Sequence, residues 1–168
     1  VGIIQGLPRS TIEYTNKTAP LPQAREVTVH LGRVTHVYDM RARKYLGHTD
    51  TVKASLTPGI ALMYALMPYK VSGVSVQAPA AVRPGDTVPV KITANADTKA
   101  GDHVLRLTVT DPDLAERPCY SQNLLAHGGV AETTIHLALN DRPGEWAVDV
   151  ADVATGTIGV ARVRVQAR

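Results

Sequence analysis

The sequence predicts an all-β protein built as two tandem antiparallel β-sandwich domains. Three observations carry that expectation. Hydrophobic residues make up 44% of the 168 residues, yet there is no Phe and one Trp, so a core must be mostly aliphatic. Val is prominent in the apolar runs, and branching at Cβ favours strands over helices. Those runs are short and are punctuated by eleven Pro and thirteen Gly, the residues that make turns.

In the first part, strands are expected at residues 27–31, 34–39, 44–46, 51–56 and 60–66. Val27, Val29 and Leu31 alternate with Thr28 and His30, which is the period-2 signature of a half-buried strand. Residues 60–66 are apolar throughout; their length and the preceding Pro58-Gly59 favour a buried strand over a helix. The apolar start at residues 1–4 is expected either to complete this first sheet or to lie against another domain.

The texture changes after Pro68, and the domain boundary is expected near residue 71, giving domains 1–71 and 72–168. Strands are expected at 70–76, 87–94, 103–110, 131–139, 145–151 and 158–165, separated by Pro/Gly turns. About seven strands in roughly a hundred residues is the size of an immunoglobulin-like sandwich. Trp146, Val148 and Val150 should share one face, and Trp146 should be the central core aromatic. Residues 152–156 should join the last two strands as a hairpin.

Charge excludes little but points away from nucleic acid. Eighteen basic against fifteen acidic residues give +3, and only Arg41, Arg43 and Lys44 cluster. No basic stripe with interleaved aromatics is visible. No run approaches the length of a membrane span. The single cysteine, Cys119, offers neither a disulfide partner nor metal-ligand spacing and is read as structural. No secretory leader is visible, and a start at Val1 in mid-pattern leads us to expect a piece of a longer polypeptide.

The densest concentration of chemistry is VYDMRARKYLGHTD, residues 37–50. Asp39 and Asp50 are the nearest thing to a paired-carboxylate glycosidase site, which needs about 5 to 10 Å between the two groups. The same acids are ordinary turn residues, and no catalytic residue is assigned. The six histidines, His30, His36, His48, His103, His127 and His136, lack the short spacings of a zinc site and read as surface or edge-strand residues. Asp111, Asp113, Asn140 and Asp141 offer oxygen ligands for calcium but match no EF-hand. No metal and no cofactor is assigned. Asn16-Lys17-Thr18 fits the glycosylation sequon. A sugar platform would draw on Tyr38, Tyr45 and Trp146, of which Tyr38 and Tyr45 are expected to form a cross-strand pair.

Residues 35–50, with Leu56-Thr57-Pro58-Gly59 and Ala65-Leu66-Met67-Pro68-Tyr69, resemble a β-sandwich domain found C-terminal to the catalytic barrel of bacterial glycoside hydrolases. There a strand ending in VYD turns into YLG, and a later strand follows an L-x-P-G turn. Ala42-Arg43 stand where that turn usually carries Gly, which eases a positive φ. Residues 143–156, with PGEW and DVATG, resemble the Ig-like modules appended to secreted bacterial enzymes. The first resemblance covers residues 1 to about 70. It implies a non-catalytic accessory region bracing the catalytic domain of the same polypeptide, and a secreted, periplasmic or cell-surface location. It brings no catalytic residue, because in that family these sit on a barrel of about 200 residues or more. A carbohydrate-binding module and a cell-surface or protein-interaction Ig-like domain are the alternatives.

Overall fold

The computed structural model of the chain describes residues 1–5 and 23–167. The sequon at residues 16–18 and Tyr14 lie outside them. The described residues are all-β, in several antiparallel sheets, and contain no helix. The chain divides into two compact units, Val1–Pro68 and Tyr69–Arg168.

The first unit has four strands: β1 (Gly2–Ile3), β2 (Arg25–Asp39), β3 (Lys44–Leu56) and β4 (Leu62–Met67). They form one sheet in the order β1-β4-β2-β3. A two-sheet sandwich was the expectation for this unit; the described residues hold a single sheet. The apolar start does complete it, as β1 pairs with β4 through Gly2 and Met63. Four expected strands are two long ones, because Gly32 with φ of 75° makes a bulge and not a turn. The pairs His30–Thr51 and Thr35–Thr49 are both kept, so residues 31–34 on β2 stand against Asp50 alone on β3. A second irregularity lies between Val37–Gly47 and Tyr38–Tyr45, where Leu46 is the extra residue. Val37, Val52, Ala54 and Tyr64 are buried together, with Val27, Val29, Leu31 and Leu66 packed against them.

The second unit contains β5 (Val71–Gln77), β6 (Ala81–Val82), β7 (Thr87–Ala96), β8 (His103–Thr110), β9 (Gln122–Ala126), β10 (Val130–His136), β11 (Gly144–Asp152) and β12 (Ile158–Val165). One sheet is ordered β10-β7-β5 and the other β6-β12-β11-β8-β9. The chain leaves the first sheet after β5 and joins the second at β6, which pairs parallel with β12. Val88, Val90 and Ile92 from one sheet share a core with Leu105, Leu107, Val109, Trp146, Val148, Val150, Val163 and Val165 from the other. Trp146 is 2% exposed, so the only indole of the chain is a core residue, and its Nε1–H donates to Arg142 O at 3.0 Å. The strands β6, of two residues, and β9, of five, are too short to register as a period-2 pattern in the sequence.

Two backbone sites test this architecture. Gly159 of β12 lies against β5 so closely that a Cβ would sit 2.1 Å from the Val74 carbonyl oxygen. Gly159→Ala is therefore expected to destabilise the second unit by about 3 kcal/mol, since overpacking forces the backbones apart. Urea titration followed by Trp146 fluorescence reads that unit alone, and an unchanged midpoint would refute the close approach. Arg43 occupies φ of 52° in the hairpin turn, where a side chain is strained. Arg43→Gly should raise the stability of the first unit by about 1 kcal/mol, measured by thermal melting followed by circular dichroism.

Candidate functional site

Three polar constellations and two surface features hold the chemistry of the described residues. The hairpin that carries most of the charge comes first. Asp39 ends β2, and its Oδ1 accepts from the backbone N–H of Arg41 and of Ala42, each at 2.9 Å. The carboxylate thus closes the turn by satisfying two donors that no strand partner can reach. Arg41 reaches back, its Nη1 donating to Ala61 O at 2.9 Å. Asp50 is exposed and lies opposite the bulge. Asp39 pairs with Lys44, six residues from Asp50, so the acids are separated by about 20 Å along the strand. That spacing is a correction to the idea that the hairpin draws them together, and it is too long for a glycosidase pair.

One face of the same hairpin gathers rings. Tyr38 and Tyr45 are cross-strand partners with centroids 5.0 Å apart and planes at 48°. His36 and His48 are the neighbouring partners, stacked at 4.3 Å and 17°. His36 Nδ1 is 2.8 Å from the Tyr45 hydroxyl. Of the residues read as a sugar platform, Tyr38 is 2% exposed and Tyr45 is half-buried. Trp146 belongs to the core of the other unit. Neither Tyr38 nor Trp146 presents a ring face to solvent.

The second constellation is buried, and sequence reasoning missed it. His103, read as a surface or edge residue, is 2% exposed and Asp152 is fully buried. A carboxylate can only accept, so His103 Nδ1–H donates to Asp152 Oδ2, at 3.1 Å. On the other side of the ring, Nε2 is 3.1 Å from the Tyr69 hydroxyl. That hydroxyl accepts from Gly101 N–H at 2.9 Å, and Thr155 Oγ1 donates to Asp152 Oδ2 at 2.7 Å. The carboxylate–imidazole–hydroxyl order has the form of a proton relay, but Tyr69 is itself buried and no substrate can reach it. The cluster fastens three segments: the first residue of the unit, the start of β8, and the turn from β11 to β12. The clue in the sequence is weak, since His103 opens an apolar-alternating strand in which Leu105, Leu107 and Val109 share its parity.

The third constellation occupies the loops considered for calcium. Asp111 is buried, and its Oδ1 accepts from Asp113 N–H at 2.9 Å and Ala115 N–H at 3.0 Å. Its Oδ2 accepts from Arg117 Nε at 2.8 Å and Nη2 at 2.5 Å. The Ala115 N–H foremost, then Arg117 and the Asp113 N–H, hold its carboxyl below the usual range against the opposing push of burial. Asp141 Oδ2 accepts from the Tyr120 hydroxyl at 2.6 Å and Ala138 N–H at 2.8 Å. Asp113 pairs with Arg142. These oxygens are committed to protein donors, and no group of three or more His, Cys, Asp or Glu among the described residues is arranged to hold a metal. Cys119, read as structural, is exposed.

Of the two surface features, one is an open groove of about 770 Å³ lined by Gln77, Pro79, Pro89, Lys91, Glu132 and Thr134 among others, with no aromatic ring. Lys91 and Glu132 pair across it at 3.2 Å. The other is an aliphatic row on the outer face of the five-stranded sheet. Val104 and its partner Leu125 are 48% and 55% exposed, and Val153, Ile158 and Val160 are 45%, 54% and 47% exposed. Val153 N–H donates to Val104 O at 3.0 Å, which brings the turn after β11 beside that pair. No protein-family model matches the chain, and no curated protein matches it.

Removing one member of the buried cluster leaves its partners without hydrogen bonds in a sealed site. Asp152→Ala should cost about 3 kcal/mol, and Tyr69→Phe about 1 kcal/mol, in urea unfolding read by Trp146 fluorescence. Equal midpoints for both variants and the parent would remove its structural role. The lowered carboxyl of Asp111 carries a pH dependence of definite sign. Its stabilisation is fully present above the unfolded value of about 3.9 and is lost as pH falls through the lower folded value. Asp111→Asn should flatten the acid limb of a stability–pH profile of the second unit.

Proposed function

We propose that the chain is a non-catalytic accessory region of a larger bacterial carbohydrate-active enzyme, bracing the catalytic domain of the same polypeptide. In this reading the second unit is an Ig-like β-sandwich. The first, a single sheet among the described residues, is the accessory domain its hairpin resembles, and the protein works outside the cytoplasm. The observation that carries the reading is the aliphatic row Val104, Leu125, Val153, Ile158 and Val160, about half exposed on the outer side of the five-stranded sheet. Burying such a row removes apolar surface from water at about 25 cal/mol per Å². Tethering to a neighbour supplies the local concentration that so small a patch lacks by itself.

The polar clusters support the same reading by their saturation. Asp39 and Asp111 are occupied by turn donors, and the Asp152–His103–Tyr69 series is sealed. The carbohydrate-binding alternative loses two of its three aromatic residues to burial.

Two measurements test the proposal. The purified chain should hydrolyse none of a panel of aryl glycosides above the buffer rate, and turnover would overturn the reading. In the full polypeptide, Leu125→Asp with Val160→Asp should lower the melting temperature of the catalytic domain by several degrees. The same pair should leave the isolated chain within about 0.5 kcal/mol of the parent, as surface changes do. An unaltered catalytic-domain melt would show that this face braces nothing.

A further inference from the structure

The two sheets of the second unit end in unequal edges. The edge strands β6 and β9 have two and five residues. At the edge of the other sheet, β5 carries a register shift between Val71 and Gly73, and its Val74 carbonyl lies against Gly159 of β12. The opposite edge, β10, is different. Its seven residues pair with β7 without a shift, and its other side has no strand partner among the described residues. Ala94 N–H donates to Gly129 O and Leu137 N–H donates to Asp86 O, which fixes the alternation. Odd-numbered residues of β10 therefore bond to β7, and the N–H and C=O of Glu132, Thr134 and His136 point to the open side. An open space of about 270 Å³ lies along Thr134 to His136, between this edge and residues 119–122. Sheets commonly blunt such an edge with Pro, Lys or a bulge, and β10 carries none of the three.

We propose that β10 is a self-association edge, pairing antiparallel with β10 of a second copy about a twofold axis at Thr134. The pairing joins the two three-stranded sheets into one. Charge selects a second copy as the occupant. In this register Glu132 stands opposite His136 of the partner copy, His136 opposite its Glu132, and Thr134 opposite Thr134. Each of these pairs exchanges both backbone hydrogen bonds, so the three open residues of each copy are satisfied together. Opposite charges and Thr–Thr are favourable cross-strand pairs, whereas like charges directly opposite are not. An axis at Glu132 or at His136 would set like against like, which leaves the register centred on Thr134.

The neighbouring strand already prepares this row. Lys91 Nζ is 3.2 Å from Glu132 Oε1, and Thr87 Oγ1 is 3.1 Å from His136 Nδ1. Glu132, Thr134 and His136 are all exposed, while Ala131 and Ile135 stay in the core of their own copy. Across the axis the order becomes Lys91, Glu132, then His136 and Thr87 of the partner copy, a polar row running from one β7 to the other. The aliphatic row lies on the five-stranded sheet and β10 on the three-stranded one, so this inference does not rest on the bracing role.

The test is sedimentation equilibrium of the untagged full chain at concentrations up to about 1 mM. One strand pair buries less than the about 1,200 Å² of a standard interface, so the dimer is weak. The parent should follow a monomer–dimer equilibrium. Thr134→Pro removes an N–H that β7 does not use, and should weaken the dimer by about tenfold or more with the parental circular dichroism spectrum kept. Glu132→Lys and His136→Glu should each weaken self-association by about tenfold, since each sets like charges opposite in both symmetric pairs. Mixed in equal amounts, these two variants should dimerise again. In that pair the introduced lysine faces the introduced glutamate, and the native His136 faces the native Glu132. Leu125→Asp with Val160→Asp, on the other sheet, should dimerise as the parent does. A parent that stays monomeric throughout would overturn the proposal. So would a dimer indifferent to Thr134→Pro, or two charge variants that gain nothing from mixing.

Discussion

Register is the constraint on which the rest of this structure depends. Along a strand the side chains alternate, so a slip of one residue exchanges the core face for the solvent face. In the second unit the alternation holds with few interruptions from β7 to β12, and two sheets close on one aliphatic core around Trp146. In the first unit the β2–β3 ladder is interrupted twice, and each interruption resets which residues share a face. The bulge at Gly32 keeps the two halves of a long hairpin in one sheet. The bulge at Leu46 gathers Tyr38, Tyr45, His36 and His48 on one side, leaving Val37 to the core on the other.

Polar groups follow the same rule of completion. A buried donor or acceptor without a partner costs more than a hydrogen bond contributes, so each buried acid here is surrounded by donors. Asp111 organises its loop, Asp39 closes the hairpin turn, and Asp152 with Thr155 closes the turn from β11 to β12. His103 is the member that costs most to strand, because it links two segments that the sheet ladder does not join directly, the start of the unit and the final turn. These clusters look like chemistry in a list of residues and act as fasteners in space. The surface feature of a different kind is the aliphatic row, whose members stay about half exposed.

Much of the second unit was legible in the sequence. The strands at 103–110 and 158–165 coincide with β8 and β12, and the Trp146, Val148, Val150 face is the buried one. Period-2 alternation bounded by Pro and Gly is a local property, readable without knowing any partner. The strands β6 and β9 were not legible, since their identity comes from pairing with β12 and β8. The candidate sites were legible in part. Asp39, Asp111 and Asp141, read as turn residues, do close turns, whereas Asp50 lies within β3 and His103, read as a surface or edge residue, has a buried partner.

What the sequence determined by itself is the all-β class, the aliphatic core and the order of most strands, because these follow from Cβ branching and alternation. Tertiary structure alone decided which residues meet. His103 and Asp152 are forty-nine positions apart, and their hydrogen bond exists only because two strands of one sheet converge at a turn. His36 and His48 become neighbours through the hairpin register, and Tyr45 joins them only because Leu46 is left out of the ladder. A bulge has no composition of its own. It is the pairing of both strands at once that selects it, and no window along one strand contains that information.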